Sequence, residues 1–221
     1  MSQELKFRLI TSIVLLFFLF LIFISSNFLI ILLFISSILA LTEFFYLMDK
    51  IFNNKKYLQL LTNLLFISYI FLFSLFFYIF TLNFGLKILI FFCLLCCILS
   101  DIGGFVFGKF FKGKKLTKIS PNKTISGSIG SFVFVTVFSI IISTTVLDVN
   151  MIFRLIFLSL LTSLGCQIGD IFFSYLKRKA KIKDTGNLLP GHGGILDRID
   201  GILLGMPFSV IGIIIFFLLI S

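Results

Sequence analysis

Tryptophan is absent from this chain, histidine occurs once, alanine twice and cysteine four times. Charge is scarce too: 13% of residues are Asp, Glu, Lys or Arg, against 59% hydrophobic. Soluble domains carry about 25% charged and about 45–50% apolar residues, so a water-soluble globule is excluded. With a mean hydropathy of +1.20 the chain reads as a membrane protein. Cys93, Cys96, Cys97 and Cys166 all lie in apolar runs, and the C-x-x-C of "CLLCC" has neither His nor carboxylate within it. They read as small apolar residues of buried helices, not as disulfides or metal ligands. The lack of Trp and Ala beside 33 Phe reads as codon bias without chemical meaning. No small-residue cleavage site follows the first apolar run, through Phe17, Phe18 and Phe20, so a retained span is expected there, not a signal peptide.

A spanning helix takes about 20 mostly apolar residues. Seven stretches qualify, near 5–25, 28–48, 58–82, 86–107, 125–147, 151–176 and 199–220. The first two come from one greasy block too long for a single crossing, with "SSN" at 25–27 as the turn between them. The expected fold class is all-α, a polytopic membrane protein of about seven transmembrane helices. Residues 1–82 are expected to form N-terminal transmembrane helices. Residues 83–221 are expected to form a catalytic transmembrane domain with cytoplasmic loops at 108–124 and 177–198. No internal repeat is evident, and no soluble domain is large enough to stand alone.

Acidic residues are few, 9 against 19 Lys and Arg, leaving a net charge of +10. Basic residues mark the cytoplasmic side of a membrane protein. With the N-terminus cytoplasmic, every Lys and Arg except Lys87 and Arg154 falls on inside segments, so the C-terminus lies outside and the span count is odd. The positive charge is accounted for by topology and by anionic lipid head groups, and a nucleic-acid partner is not expected.

The few carboxylates are informative because lipid penalises them, by about 2.5–3.5 kcal/mol at the bilayer centre on insertion scales. Glu43, Asp101 and Asp170 lie within or at the cytoplasmic ends of expected spans. For Glu43 a water-facing interfacial position is an open reading. Asp101 opens the Gly-rich "DIGGFVFGK". On a helix, Asp170, Ser174 and Lys177/Arg178 share one face running from membrane to cytoplasm. Three G-x-x-x-G pairs, Gly104/Gly108, Gly165/Gly169 and Gly201/Gly205, read first as sites of close helix packing.

"LPGHGG" at 189–194 cannot be helical. Pro190 and three glycines make an irregular turn whose backbone N–H groups suit an anion. "ILDRID" then opens the last span with Asp197 and Asp200 on one face. Those two carboxylates, with Asp170 one helix back, would repel one another without a cation between them. Oxygen ligands and a substrate phosphate suit Mg²⁺, and the surrounding Lys and Arg suit phosphate oxygens. In "KKLTKISPNKTISGS" (114–128), Lys115, Lys118 and Lys123 are interleaved with Ser120 and Thr124, as half of a phosphate cradle or as a basic anchor; it is not a P-loop. His192, the single histidine, fits a phosphate-contacting role better than a catalytic one. The residues describe a metal-dependent phosphoryl or nucleotidyl transferase working at the cytoplasmic membrane face.

"SYLKRKAKIKDTGNLLPGHGGILDRID" (174–200) closely resembles the signature of the phosphatidate cytidylyltransferases, or CDP-diacylglycerol synthases. That pattern is S-x-x-K-R-x₄-K-D-x-G/S followed by P-x-H-G-G-x-x-D-R-x-D. Ser174, Lys177, Arg178, Lys183, Asp184, Gly186, Pro190, His192, Gly193, Gly194, Asp197, Arg198 and Asp200 all match it. "DIGGFVFGKFFKGKKLTKISPNKT" (101–124) is similar to the family's upstream segment. The resemblance covers most of 100–205. Ser126 and Gly127 stand where the family's Glu-Gly usually follows Lys-Thr, and the chain looks shorter at its N-terminus than many members.

The resemblance implies that CTP and phosphatidate give CDP-diacylglycerol and pyrophosphate. It implies catalytic roles for Asp170, Asp197, Asp200, Lys183 and Arg198. Asp170, Asp197 and Asp200 would hold Mg²⁺, with K⁺ as a second, monovalent cation. Ser120, Lys123, Thr124, Ser174, Lys177, Arg178, Asp184, His192, Gly193 and Gly194 would bind substrate. It further implies a homodimer in the inner (plasma) membrane, embedded in lipid, with the active site facing the cytoplasm. The alternatives are a CTP-dependent polyprenol or phytol kinase, a cytidylyltransferase for ether-linked lipid and, in a different class, a transporter.

Overall fold

The computed structural model describes residues 21, 24–53, 55–121, 123–146, 149–186 and 193–218. Among the described residues there are six α-helices: α1 Ser26–Phe52, α2 Lys56–Leu82, α3 Phe84–Phe111, α4 Ile125–Thr145, α5 Ile152–Lys179 and α6 Leu196–Leu218. A short 3₁₀ turn, Val149–Met151, leads into α5. All six helices are long and apolar enough to cross a membrane. They correspond to six of the seven expected spans; the first, 5–25, lies almost wholly outside the described residues. The break expected at 25–27 is a single extended residue, Ser25 (φ −125°, ψ 117°), after which α1 begins.

Polar residues set the helix ends. The Asn53 N–H closes the last turn of α1 on the Asp49 carbonyl at 2.9 Å, and the polar "NNKK" that follows interrupts the apolar run. The Asn83 Oδ1 accepts from the N–H groups of Gly85 (3.0 Å) and Leu86 (3.3 Å), capping α3. The Thr124 hydroxyl accepts from the Gly127 N–H at 3.1 Å and caps α4. α5 ends in a left-handed reversal at Lys181 (φ 57°). There the Ile182 N–H bonds the Lys177 carbonyl and the Lys181 N–H the Arg178 carbonyl, each at 3.0 Å. That is a Schellman closure with lysine where glycine is usual.

The chain forms two compact units interleaved in sequence. The first comprises Met1–Lys87 with Leu176–Ile199, and the second Ile88–Tyr175 with Asp200–Ser221. In the first unit α1 packs on α2 around Ala40, Phe44, Leu47, Met48, Phe66 and Ile70. The Phe44 and Phe66 rings stack with centroids 3.8 Å apart. Leu196, at the head of α6, is buried in the same unit.

The second unit is held by glycine contacts and hydroxyls as well as by apolar side chains. A Cβ on Gly103 would come within 2.6 Å of the Gly130 carbonyl, and one on Gly104 within 2.9 Å of the Ser131 hydroxyl, so α3 and α4 meet at van der Waals distance. α5 and α6 meet likewise: a Cβ on Gly165 would lie 2.8 Å from the Leu204 carbonyl, and one on Gly169 2.6 Å from that of Asp200. All three G-x-x-x-G pairs therefore serve helix packing within the unit. Buried hydroxyls bridge helices, with Ser100 and Ser163 at 2.8 Å and the Ser131 hydroxyl donating to the Ser100 carbonyl at 2.6 Å. In lipid such contacts supply the specificity that apolar burial alone cannot.

Candidate functional site

In the first unit the polar segment after α5 is organised around two carboxylates. Asp197 stands in the first turn of α6, where the unpaired N–H groups of the helix start favour negative charge. Its Oδ1 receives the Lys177 ammonium at 2.7 Å. Its Oδ2 accepts from the Thr185 N–H (2.8 Å), the Thr185 hydroxyl (3.0 Å) and the Gly194 N–H (3.1 Å). The pair is well sheltered, the Lys177 and Asp197 side chains being 12% and 8% exposed.

Glu43, far back on α1, is the second carboxylate. It does not meet water at an interface: it is 5% exposed. Its Oε1 accepts from the Ile195 N–H at 2.9 Å, and its Oε2 from the Leu196 N–H at 2.8 Å and the Thr185 hydroxyl at 2.7 Å. The N–H of Gly194, the last residue of the 189–194 turn expected to face an anion, is thus taken by the protein's own Asp197, and those of Ile195 and Leu196 by Glu43.

The glycines of the motif follow from this crowding. Gly193 adopts φ +79°, and a Cβ there would meet the Asp197 Oδ2 at 3.0 Å. A Cβ on Gly194 would overlap the Glu43 Oε2 and stand 2.5 Å from the Thr185 hydroxyl. Arg178, Lys183, Asp184 and Arg198 of the same unit are exposed; Ser174, in the second unit, is half-buried. The Arg178 guanidinium reaches the Ile182 carbonyl at 3.4 Å. His192 lies outside the described residues.

In the second unit the basic loop between α3 and α4 is folded, not trailing. Lys115 and Thr124 form an antiparallel bridge. The Leu116 N–H bonds the Lys123 carbonyl (2.8 Å) and the Ile125 N–H the Lys114 carbonyl (3.0 Å). The Lys123 N–H closes a turn on the Ser120 carbonyl at 3.1 Å. Ser126 donates to the Lys112 carbonyl and pins the base of the loop. This bracing turns Lys123 inward, and its ammonium lies 2.5 Å from the Asp170 Oδ2.

The two residues line a cavity of about 270 Å³ together with Asp101, Phe105, Leu116, Thr124, Ser128 and Gln167. The Ser128 hydroxyl donates to the Gln167 carbonyl oxygen and fixes that amide in the wall. The close approach of α5 and α6 brings the Asp170 carboxylate alongside Gly201, where a Cβ would stand 2.9 Å from its Oδ1. Asp200, next in the chain, takes the Gly201 N–H at 3.0 Å on its own Oδ1.

The expected site residues therefore fall into two groups. Lys177, Gly194 and Asp197 meet in the first unit; Ser120, Lys123, Thr124 and Asp170 belong to one loop and cavity in the second. Asp197 and Asp170 each face a lysine within their own unit. Among the described residues no three His, Cys, Asp or Glu side chains converge as a metal-ligand group. Sequence reasoning missed Thr185, Gln167 and the partnership of Glu43. The one available signal was the anomaly of a carboxylate inside an apolar run.

The chain matches the model of the cytidylyltransferase family over residues 44–216. It is similar to the phosphatidate cytidylyltransferase of Helicobacter pylori, 40% identical over 123 residues that make up 56% of this chain and 46% of that protein. It is 41% identical over 130 residues to that of Rickettsia prowazekii, covering 55% of this chain and 56% of the relative. With that of Bacillus subtilis it shares 43% identity over 111 residues, 49% of this chain and 41% of the relative. The chain spans about half the length of the curated relatives it matches.

Proposed function

The chain belongs to the cytidylyltransferase family, and on that premise we propose that it joins CTP and phosphatidate into CDP-diacylglycerol and pyrophosphate at the cytoplasmic face of the inner membrane. The observation that carries this reading is a lysine resting on an aspartate in each unit, Lys123 on Asp170 and Lys177 on Asp197. Such a pair is poised to separate when a cation–phosphate ligand arrives: the ammonium takes phosphate oxygens and the carboxylate takes the cation.

The reaction needs little covalent help from the protein. A non-bridging oxygen of the lipid phosphate attacks the α-phosphorus of CTP. The bond from that phosphorus to the β-phosphate oxygen breaks, and pyrophosphate leaves with the electron pair. A phosphate monoester, with a second pKa of about 6, is largely ionised at neutral pH, so no separate base is required. Catalysis is then positioning and charge stabilisation. Lys177, Arg178, Lys183 and Arg198 clamp phosphates from the end of α5, the segment after it and the start of α6; Ser120, Lys123 and Thr124 do so from the loop before α4. Ser174, Asp184, His192, Gly193 and Gly194 complete the substrate contacts.

Asp170, Asp197 and Asp200 are the residues proposed to hold Mg²⁺, with K⁺ as a second cation. At Asp170 the donor chemistry fits, since the cavity there offers carboxylate, hydroxyl and amide oxygens and no sulfur. When bound, the ion would neutralise charge on the triphosphate and the leaving pyrophosphate. A cytoplasmic site agrees with the Lys and Arg distribution and lets a soluble nucleotide meet a lipid that keeps its acyl chains in the bilayer. A homodimer would have to associate through surfaces other than the glycine pairs, which are used within the second unit.

The test is product analysis on the full chain in detergent with CTP, phosphatidate and Mg²⁺, omitting each in turn. Pyrophosphate and a CDP-lipid that require all three are expected. CDP formed on a lipid alcohol instead would replace this reading with a lipid kinase.

A further inference from the structure

We propose that Glu43 is a positioning residue for Asp197, acting through the single hydroxyl of Thr185; the inference rests on the catalytic role assigned to Asp197 above. Apart from Asp49 and Lys50 near its end, α1 is otherwise free of charge, and Glu43 lies one residue before the segment that matches the family model. A buried carboxylate is costly unless its oxygens are satisfied. Among the described residues Glu43 has no cationic partner. Its hydrogen bonds to described residues come from the polar segment that carries Asp197: the Thr185 hydroxyl, the Ile195 N–H and the Leu196 N–H. Ile195 immediately precedes α6 and Leu196 is its first residue, where N–H groups lack intrahelical acceptors. Glu43 therefore caps α6 from another helix, a task usually given to a local Ser, Thr, Asp or Asn.

Thr185 is the link. Its N–H is fixed on the Asp197 Oδ2 at 2.8 Å, and its hydroxyl lies 2.7 Å from the Glu43 Oε2 and 3.0 Å from the Asp197 Oδ2. One hydroxyl proton serves two carboxylates, so a shift of either acceptor is felt by the other. Space for the arrangement is reserved by glycine: a Cβ on Gly186 would stand 3.0 Å from the Glu43 Oε1. Without Glu43, two N–H groups and the Thr185 hydroxyl lose an acceptor, and the segment that aims Asp197 at its task loses its tether.

The experiment compares Glu43→Gln, Thr185→Val, Thr185→Ser and the Glu43→Gln/Thr185→Val double variant. All are full chains in detergent, assayed for pyrophosphate release, thermal midpoint and tryptic cleavage at the exposed Lys183 and Arg198. Glu43→Gln and Thr185→Val should each lower kcat at least about tenfold, the effect of losing one buried hydrogen bond to a charged group, with KM for phosphatidate unchanged. The double variant should be no worse than the poorer single one, because both break one link. Thr185→Ser, which restores the hydroxyl, should restore turnover, and cleavage should accelerate in the first two variants only. Wild-type turnover and cleavage in both Glu43→Gln and Thr185→Val would overturn the proposal. So would additive losses, or losses in Thr185→Ser that follow a fallen thermal midpoint. If Glu43→Gln fails to fold, the Thr185→Val and Thr185→Ser pair decides. A wild-type chain silent with CTP and phosphatidate would instead sink the proposed reaction, and the cleavage rates would still judge the tether.

Discussion

The sheltered Lys177–Asp197 pair and the half-open Lys123–Asp170 pair make different demands on mutation. Removing one partner of a buried pair leaves an uncompensated charge and costs about 3–5 kcal/mol, whereas exposed pairs are worth about 0–1 kcal/mol. The side chains of Lys177 and Asp197 are 12% and 8% exposed, those of Lys123 and Asp170 30% and 21%. Asp197→Asn and Asp170→Asn should both abolish activity while membrane insertion is retained. Only Asp197→Asn should also lower the thermal midpoint substantially; near-normal turnover in either variant would refute the roles assigned to these carboxylates. The aspartates were legible as candidates because charge is conspicuous in an apolar chain. Their lysine partners were not, since any of several basic residues in each loop could have reached them.

At the scale of the element, the end of α5 carries a local strain that the sequence does not advertise. Lys181 holds φ 57°, a conformation that costs a residue with a Cβ roughly 1–2 kcal/mol and glycine almost nothing. Lys181→Gly should therefore raise the thermal midpoint without altering KM for either substrate, because the Schellman hydrogen bonds are backbone only. A lowered midpoint would mean that the Lys181 side chain supports the turn. Helix positions were readable from the apolar runs, and the polar stretches at 25–27 and 53–56 and the loop expected at 108–124 marked the interruptions, although α3 runs on to Phe111. The ends were less readable: α5 continues to Lys179 and α6 starts at Leu196, so the basic and acidic residues that the sequence assigns to loops stand partly on the last and first helical turns. Lysines at a helix C-terminus and an aspartate at an N-terminus are favoured there by the helix dipole, which let the helices extend beyond their apolar limits.

For the whole molecule, span counting gives a side-of-membrane prediction independent of orientation. Two spans, α4 and α5, separate the basic loop after α3 from the polar segment after α5. Both must open on the same face. Trypsin added to sealed vesicles should cut near Lys112–Lys118 and near Arg178–Lys183 from one side only, and from the same side for both. Cleavage of the two regions from opposite sides would overturn the span assignment. The exposed Phe34, Phe71 and Phe153 are 67%, 65% and 82% exposed, as expected of surfaces that face acyl chains.

Hydrophobicity and spacing by themselves determined the class of this protein, the positions of its described spans and the cluster of residues to suspect. These are local or compositional properties: about 20 apolar residues must span whatever their neighbours are, and a dense motif is visible as a string. The tertiary structure decided which donor meets which carboxylate. Glu43 lies 142 residues from Thr185 and 153 from Leu196, and nothing in the intervening sequence encodes that meeting. It arises because a buried carboxylate and the unpaired N–H groups of a helix start each need a partner that lipid cannot supply.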